Sequence, residues 1–331
     1  MRRLLFLLCS AFFGLTACGG QEPLRLLNVS FDPTRELYRD INQAFAADWK
    51  ARTGQEIRIQ QSHGGSGKQA RAVNDGLPAH VVTLALALDV DAIAKTGLLP
   101  LDWRQRLPYN SAPFHSTIVF LVRQGNPKHI ADWADLLKPG VSIIVANPKT
   151  SGGARCAYLA AWGWGQRHGG EAGAEAYVRG LYQRVPVLDN GARAATTTFV
   201  ERGLGDVLLT WENEAYLAQQ EHPEKGLRVI APSVSLRVDL PVAVVSGVAG
   251  PDGLSATAEA YLRFLYTPQG QALGAKHHYR PNVPADAERF KAEFPRLTLL
   301  EVEQVAGSWD QAQAKHFAAG AFFDRLIEER R

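Results

Sequence analysis

The chain has 331 residues, a length that suits two domains and allows a sizeable core. Its 46% hydrophobic and 21% charged residues are typical of a globular protein rather than a disordered or fibrous one. The formal net charge of only +3 excludes the strongly basic surface of nucleic-acid-binding proteins, so we expect no nucleic-acid partner.

The first 18 residues have the pattern of a targeting segment. Arg2 and Arg3 supply positive charge, and residues 4–15 form an apolar run that is too short to span a bilayer. The run ends in LTACGG, which resembles the bacterial lipobox. We therefore interpret residues 1–18 as a signal peptide with lipobox, and Cys18 as the lipid-anchored first residue of the mature chain. An ordinary secretory signal cut at nearby small residues is the alternative.

Strands and helices alternate through the first part of the chain. Residues 26–30 and 56–60 are predicted strands. The helix between them begins at Asp32 and Pro33, which suit an N-cap and a first helical position, and it ends at Gly54, which suits a C-terminal cap. This order of elements predicts the start of a parallel sheet.

A glycine turn follows the second predicted strand and opens the next helix, with the sequence SHGGSGK over residues 62–68. Ser66 suits the helix cap, and it also suits an anion site through its N–H and hydroxyl groups. Lys68 invites a P-loop interpretation. A P-loop needs glycine in place of Ser62 and serine or threonine in place of Gln69, so the pattern disfavours nucleotide binding.

The same alternation continues to the C-terminus. Further strands are predicted over residues 81–86, 117–123, 141–146, 206–211, 227–230 and 241–246, and helices over 89–95, 131–137, 152–168, 171–184, 192–199 and 309–330. Strands that alternate with helices predict an α/β fold with right-handed crossovers.

The sequence NPKTSGGAR, residues 147–155, lies between a predicted buried strand and a predicted helix. A strand, a glycine turn and a helix in this order direct several backbone N–H groups to one point, at the positive end of the helix dipole. Such a place binds anions readily. Because ligands of open α/β sheets lie outside the carboxyl ends of the strands, we expect this turn and those near residues 62–68 and 189–193 to converge on one cleft.

Five sequence blocks point to a family: residues 28–38, 61–70, 147–155, 190–193 and 199–214. Together they resemble the periplasmic sulfate- and thiosulfate-binding proteins of ABC importers. The resemblance implies an α/β, two-lobed periplasmic solute-binding fold of type II, with a mainly parallel sheet flanked by helices in each lobe and two crossing strands as the hinge. We expect lobe I over residues 24–115, lobe II over 116–242, and the return to lobe I with the C-terminal helices over 243–331.

The resemblance implies a ligand site made of hydrogen-bond donors alone. Its members are the N–H of Asp32, Ser66, the hydroxyl of Ser151, the N–H groups of Gly152, Gly153 and Ala192, and the indole N–H of Trp211. Fully ionised sulfate only accepts hydrogen bonds, whereas phosphate near neutral pH keeps a proton that needs an acceptor. The implied function is a receptor that captures sulfate or thiosulfate and delivers it to ABC permease subunits. A receptor for molybdate or phosphate, or an enzyme acting on a sulfated or phosphorylated substrate, is the alternative.

We expect no catalytic residue, no metal and no cofactor, in a monomeric periplasmic protein. Cys156 has no base placed beside it, and His277 and His278 have no further ligands at a metal-binding spacing. Arg193 is expected to pair with an acidic residue behind the site rather than touch the ligand. Phe31 and Cys156 stand where family members often have tyrosine and tryptophan.

Overall fold

The computed structural model describes residues 22–329, so the expected signal peptide, the lipobox and Cys18 lie outside it. The strands are β1 (Leu24–Phe31), β2 (Ile57–Gly64), β3 (Val81–Thr83), β4 (Phe114–Ser116), β5 (Ile118–Val122), β6 (Ile143–Ala146), β7 (Leu188–Asp189), β8 (Val207–Trp211), β9 (Arg228–Ile230), β10 (Val234–Leu236), β11 (Val238–Leu240), β12 (Val242–Val244), β13 (Arg280–Pro281) and β14 (Thr298–Leu300).

The helices are α1 (Arg35–Thr53), α2 (Ser66–Asn74), α3 (Ala87–Ala94), α4 (Pro108–Ser111), α5 (Gly152–Tyr182), α6 (Ala192–Val200), α7 (Glu212–Glu221), α8 (Ser246–Ala249), α9 (Ser255–Phe264), α10 (Pro268–Lys276), α11 (Pro284–Phe290), α12 (Val302–Ala306), α13 (Trp309–Ala312) and α14 (Phe322–Glu328). A 3₁₀ turn covers Asp32–Thr34, and a π-helical turn covers Gln313–Phe317. No helix within residues 22–329 is both long and apolar enough to cross a bilayer.

The first lobe is built on a sheet with the strand order β12-β3-β1-β2. β1 runs parallel to β2 and β3, and β12 joins β3 as an antiparallel edge strand. Helix α1 turns Leu37, Ile41 and Phe45 into the core, because residues four apart share one helix face. It ends at Gly54, whose positive φ of 75° allows the left-handed cap that was predicted.

The second lobe is built on a sheet with the strand order β7-β6-β8-β5-β9. β6 pairs in parallel with β7 and β8, while β5 pairs antiparallel with β8 and β9. Strands β5, β6 and β8 are buried along their whole length, as expected where helices cover both faces of a sheet. Helix α5 is interrupted at Gly169 and Gly170, which separates the two helices predicted there.

Strands β4, β11 and β13 form a small sheet between the lobes, with β4 in the middle. Thr117 alone separates β4 from β5, and Arg237 alone separates β10 from β11, so the chain crosses between lobes at these two points. A third connection follows α11 through residues 291–297 into β14, which pairs with β10. The hinge therefore contains this connection in addition to the two predicted crossings.

The C-terminal helices pack on the second lobe. Tyr158 and Trp162 of α5 form ring contacts with His316, Phe317 and Phe322. The prediction of one continuous helix over residues 309–330 is wrong, because the π-helical turn and a break before α14 interrupt it. Gly320, at φ 72°, lies in that break and takes a conformation that a helix does not allow.

Candidate anion-binding site

All seven residues of the predicted donor set line one small cavity between the two lobes: Asp32, Ser66, Ser151, Gly152, Gly153, Ala192 and Trp211. Phe31, Pro33, Gly64, Gly65, Ala85 and Gly191 complete the lining. The cavity has a volume of about 240 Å³, which includes space open to solvent. It suits a small anion and is too narrow for a nucleotide or a sugar phosphate.

Asp32 supplies the first-lobe contribution next to Phe31. It follows directly after β1, whose last residue, Phe31, pairs with Gly64 of β2. The prediction that Asp32 caps the helix is wrong: Phe31 holds the N-cap position, and the Asp32 carboxylate instead pairs with Arg35 at 3.1 Å. Of the two groups, only the backbone N–H of Asp32, and not its carboxylate, can donate to an anion.

Ser66 is the first residue of α2, and Gly65 holds the N-cap position in place of the predicted Ser66. The Ser66 hydroxyl donates to the buried carboxylate of Asp89 and accepts from the N–H of Ala85 at 3.0 Å. Both hydrogen-bonding roles of the hydroxyl are therefore taken inside the protein. The backbone N–H of Ser66, which has no partner in the described part of the chain, is the group left for an anion.

Ser151 is the N-cap of α5, and its hydroxyl oxygen accepts from the N–H of Ala154 at 3.3 Å. Its own N–H donates to the carbonyl oxygen of Asn147 at 2.9 Å. The hydroxyl proton is then the donor that Ser151 can offer to a ligand. The N–H groups of Gly152 and Gly153, at the start of the helix, have no acceptor among the described residues.

Ala192 and Trp211 come from two further segments of the second lobe. Ala192 opens α6, and Trp211 ends β8 with its side chain buried. Neither the N–H of Ala192 nor the indole N–H of Trp211 has a partner between residues 22 and 329. The Trp211 ring lies 5.9 Å from that of Phe31, centroid to centroid, so an aromatic contact joins the two lobes beside the cavity.

Glycine is required at position 153 by this close approach. A Cβ atom there would lie 2.3 Å from Nε1 of Trp211, well inside van der Waals contact. At Gly152 a Cβ atom would lie 3.1 Å from the side chain of Ala85 in the first lobe. The two glycines let the backbone of α5 reach both the indole and the opposite lobe.

The basic residues near the cavity are held by other partners. Among residues 22–329, no Lys, Arg or His side chain lines the cavity. Arg193 pairs with Glu214 at 2.9 Å and with Glu36 at 3.1 Å, which confirms the prediction that it pairs with an acid. Arg155 donates to the carbonyl oxygen of Pro148 at 3.0 Å and lies 3.8 Å from the Asp89 carboxylate. The charge of a bound anion would be met by oriented N–H dipoles.

Burial shapes the ionisation of the groups behind the cavity. Burial raises the pKa of Asp89, and the charge of Arg155 offsets this only in part. Burial also raises the pKa of Glu214 against the opposing effect of Arg193. The thiol of Cys156 lies in the core outside the lining, and burial raises its pKa well above the ordinary range. A buried neutral thiol is a poor nucleophile.

The two lobes meet around the cavity. Arg193 and Glu36 belong to opposite lobes, as do Arg155 and Asp89. A Cβ atom at Gly65 would lie 2.7 Å from the carbonyl oxygen of Thr150, so the turns of the two lobes are in direct contact there. The structure is therefore a closed form.

A family model described as "Bacterial extracellular solute-binding protein" matches residues 34–280, which is most of the chain. The chain belongs to this family. The sulfate-binding protein of Escherichia coli (strain K12) is 54% identical over 307 residues, covering 92% of this chain and 93% of that protein. The thiosulfate-binding protein of Pseudomonas aeruginosa is 50% identical over 303 residues, covering 91% of each. The resemblance seen in the sequence blocks is thereby confirmed.

A solved structure supports the same assignment. The sulfate-binding protein SubI from Mycobacterium tuberculosis H37Rv has a TM-score of 0.81 and 32% identity, covering 89% of this chain and 100% of that chain. The two-lobed α/β fold predicted for this solute-binding protein is confirmed.

Two residues beside the cavity escaped the sequence prediction. Gly65 sets the contact with Thr150, and Asp89 fixes the Ser66 hydroxyl. The paired glycines before Ser66 were a signal for a close backbone approach. Asp89 could not be predicted as a partner of Ser66, because it lies 23 residues further along the chain and only the folded structure brings the two into contact.

Proposed function

We propose that this protein is an extracytoplasmic receptor that captures sulfate or thiosulfate and delivers it to the permease subunits of an ABC importer. The observation that carries the proposal is the convergence of donors on one closed cavity whose lining contains no basic side chain. The relatives named as sulfate- and thiosulfate-binding proteins support it, since they share about half of their residues with this chain along more than nine-tenths of its length.

The proposed ligand contacts are donors of the cavity lining. They are the N–H groups of Asp32, Ser66, Gly152, Gly153 and Ala192, the hydroxyl of Ser151 and the indole N–H of Trp211. Each hydrogen bond to a charged group contributes about 1.5–3 kcal/mol. These contributions are opposed by the loss of translational and rotational freedom on binding, which costs about 4–15 kcal/mol, and by the desolvation of the anion. The balance favours tight but reversible binding, which a transport receptor requires.

Selectivity follows from the shortage of acceptors. Asp32 is the one acidic residue of the lining, and its Oδ1 is engaged by Arg35 at 3.1 Å. A phosphate ion that keeps a proton would place that proton against N–H groups, and an unmade hydrogen bond of this kind disfavours binding. Sulfate and thiosulfate have no such proton.

We infer that the protein performs no chemistry on the bound anion. A hydrolase needs a general base or nucleophile within hydrogen-bond reach of the substrate. Among the residues that line the cavity, Asp32 is the single titratable candidate, and Arg35 already holds its carboxylate. Incubation with aryl sulfates and phosphate esters should release no product, and turnover would contradict the inference.

The cellular setting is a further part of the proposal. We propose a monomer in the periplasm, anchored through lipid on Cys18, with lobe boundaries near residues 115 and 242. Partition of the mature protein into the detergent phase would support the anchor, and an aqueous protein cleaved elsewhere would refute it. Light scattering of a variant lacking residues 1–18 would test the monomer.

Titration calorimetry tests the proposed ligand. Purified protein freed of bound anion should bind sulfate or thiosulfate with a dissociation constant in the micromolar range or tighter, and bind phosphate at least about 100-fold more weakly, a difference of about 2.7 kcal/mol. Molybdate, a larger tetrahedral oxyanion, serves as the size control. Equal affinity for phosphate and sulfate would contradict the donor-only mechanism.

A further inference from the structure

Lys149, two residues before Ser151, is tied to the C-terminal part of the chain. Its ammonium group donates to the carbonyl oxygens of Phe317 at 3.0 Å and Ala318 at 3.1 Å, and to the carboxylate of Asp324 at 2.8 Å. Two of these acceptors lie at the C-terminal end of the π-helical turn, where helix carbonyl groups lack partners and attract cations. We call residues 309–324 the C-terminal clasp.

The clasp also covers the ion pair behind the cavity. The ring of Phe317 lies 5.9 Å from the guanidinium carbon of Arg155. Arg155 in turn contacts the carbonyl oxygen of Pro148, in the anion-binding turn, and Asp89 in the first lobe. The side chains of Arg155 and Asp89 are only 11% and 7% exposed, so the clasp helps to keep water from this pair.

Contacts of the clasp reach both lobes. His316 is fully buried against α5 and shares a 3.0 Å hydrogen bond with the hydroxyl of Tyr158, which fixes the clasp to the second lobe. At its other end, α13 contacts α3, the first-lobe helix that carries Asp89. The clasp thus holds the anion-binding turn from behind while it touches the opposite lobe.

The turn itself has few other restraints. The N–H of Lys149 donates to the side chain of Asn147 at 2.9 Å, and the N–H groups of Thr150 and Ser151 donate to the carbonyl oxygen of Asn147. These bonds fix the turn internally. Against the rest of the lobe, the turn is held by the N–H of Asn147, which donates to the carbonyl oxygen of Asp189 at 2.8 Å, and by Lys149, which ties its middle to the clasp. A small rotation of the turn would move three donors, those of Ser151, Gly152 and Gly153, at the same time.

We propose that Lys149 is a positioning residue for anion capture: by fastening the anion-binding turn to the C-terminal clasp, it aligns the donors of the second lobe. It does not line the cavity and does not touch the ligand. This inference rests on the proposed function for its ligand. Loss of the ammonium group should misalign several hydrogen bonds together and speed ligand release.

Three variants test the proposal. Lys149→Met removes the ammonium group and keeps the apolar stem, Lys149→Arg keeps the charge, and Lys315→Met is the matched control. Lys315 belongs to the same clasp but pairs with the exposed Glu171, away from the anion-binding turn. In K149M, we expect the sulfate dissociation constant to rise about tenfold, through faster dissociation. K149R should regain at least half of the binding free energy lost in K149M. In K315M, the dissociation constant should stay within twofold of the wild-type value.

Hydrogen–deuterium exchange of the unliganded variants supplies a readout that needs no ligand. Peptides covering residues 147–155 should exchange faster in K149M than in K315M, whereas peptides of the first-lobe sheet should not change. Unchanged exchange and unchanged affinity in K149M, or equal effects in both variants, would overturn the proposal. A wild-type protein that binds neither sulfate nor thiosulfate would refute the proposed function instead, and the exchange comparison would still decide the role of Lys149.

Discussion

Ser66 and Ser151 each lie near the start of a helix, one in each lobe, and present different groups to the cavity. Each lies where a glycine turn meets the start of a helix. In the first lobe, Asp89 and Ala85 take both roles of the Ser66 hydroxyl, so the N–H faces the cavity. In the second lobe, Asn147 takes the N–H of Ser151, so the hydroxyl proton is free.

The difference shows that the hydrogen-bond partners of each serine decide which of its groups is offered to a ligand. Both serines would be assigned to helix capping from sequence alone. Only Ser151 holds the cap position, and its cap hydrogen bond uses the oxygen while sparing the proton. Mutations that act on one serine or its partner therefore separate ligand binding from fold stability.

Among these variants, Gly153→Ala should cause the largest loss of sulfate affinity, because it disturbs the second-lobe half of the site. The added Cβ atom would lie 2.3 Å from Nε1 of Trp211, which forces either the helix or the indole out of place. Because two donors are displaced together, we expect sulfate affinity to fall by about 100-fold or more. Gly169→Ala, at the break within α5, is the control, since no atom lies within 4 Å of a Cβ built there. Calorimetry showing near-normal binding by G153A would mean that Trp211 is not a ligand donor.

Ser151→Ala and Ser66→Ala should have opposite profiles. Removing the Ser151 hydroxyl deletes a ligand donor and a cap, so we expect sulfate affinity to fall about 10- to 100-fold and the apo protein to lose about 1 kcal/mol. Removing the Ser66 hydroxyl leaves the ligand-facing N–H in place. It strips the buried Asp89 and the Ala85 N–H of their partner, so we expect a loss of about 1–3 kcal/mol in apo stability with only a few-fold loss of affinity.

Urea unfolding of the anion-free proteins, with calorimetry on the same samples, measures both quantities. Thr53→Ala offers a comparison for the loss of a hydroxyl remote from the cavity, since its hydroxyl bonds only near the end of α1. If Ser66→Ala lowered affinity as much as Ser151→Ala while leaving stability intact, the two serines would be equivalent ligand donors after all.

Sequence patterns predicted the alternating strands and helices, whereas the two-lobed form and the residues that meet at the cavity came from the resemblance to a family. The strands and helices could be predicted because their patterns depend on residues that are close together in the sequence. Examples are the apolar spacing of Leu37, Ile41 and Phe45 and the glycine pair at Gly169. The break before Phe322 was missed because its cause is tertiary: the buried His316 and the ion pair of Lys149 with Asp324 favour the packed tail over a continuous helix.

Which atom of each residue faces the cavity could not be predicted for the same reason. The roles of Ser66 and Asp32 depend on Asp89 and Arg35, and only the folded chain brings Ser66 to a residue 23 positions away. The cap position assigned to Asp32 failed by one residue, since Phe31 precedes the turn. The donor set itself rested on resemblance to a family, and its ligand role stays a prediction that the variants above test.

Asp89→Asn should have the smallest effect on the free energy of unfolding. It tests whether the charge of Asp89 or its hydrogen bond holds Ser66 in place. Burial raises the pKa of Asp89 in the folded protein above the ordinary value near 4. The folded state therefore binds this proton more tightly than the unfolded state, and wild-type stability falls as pH rises from the ordinary to the raised pKa value.

The asparagine of the variant does not titrate, and its side-chain oxygen still accepts a hydrogen bond from the Ser66 hydroxyl. The stability of D89N relative to wild type should then increase as the pH rises from about 4 to about 7, as measured by urea unfolding. A decrease over that range would show that Arg155 stabilises the Asp89 anion, and that an ion pair between the lobes holds Ser66 in place.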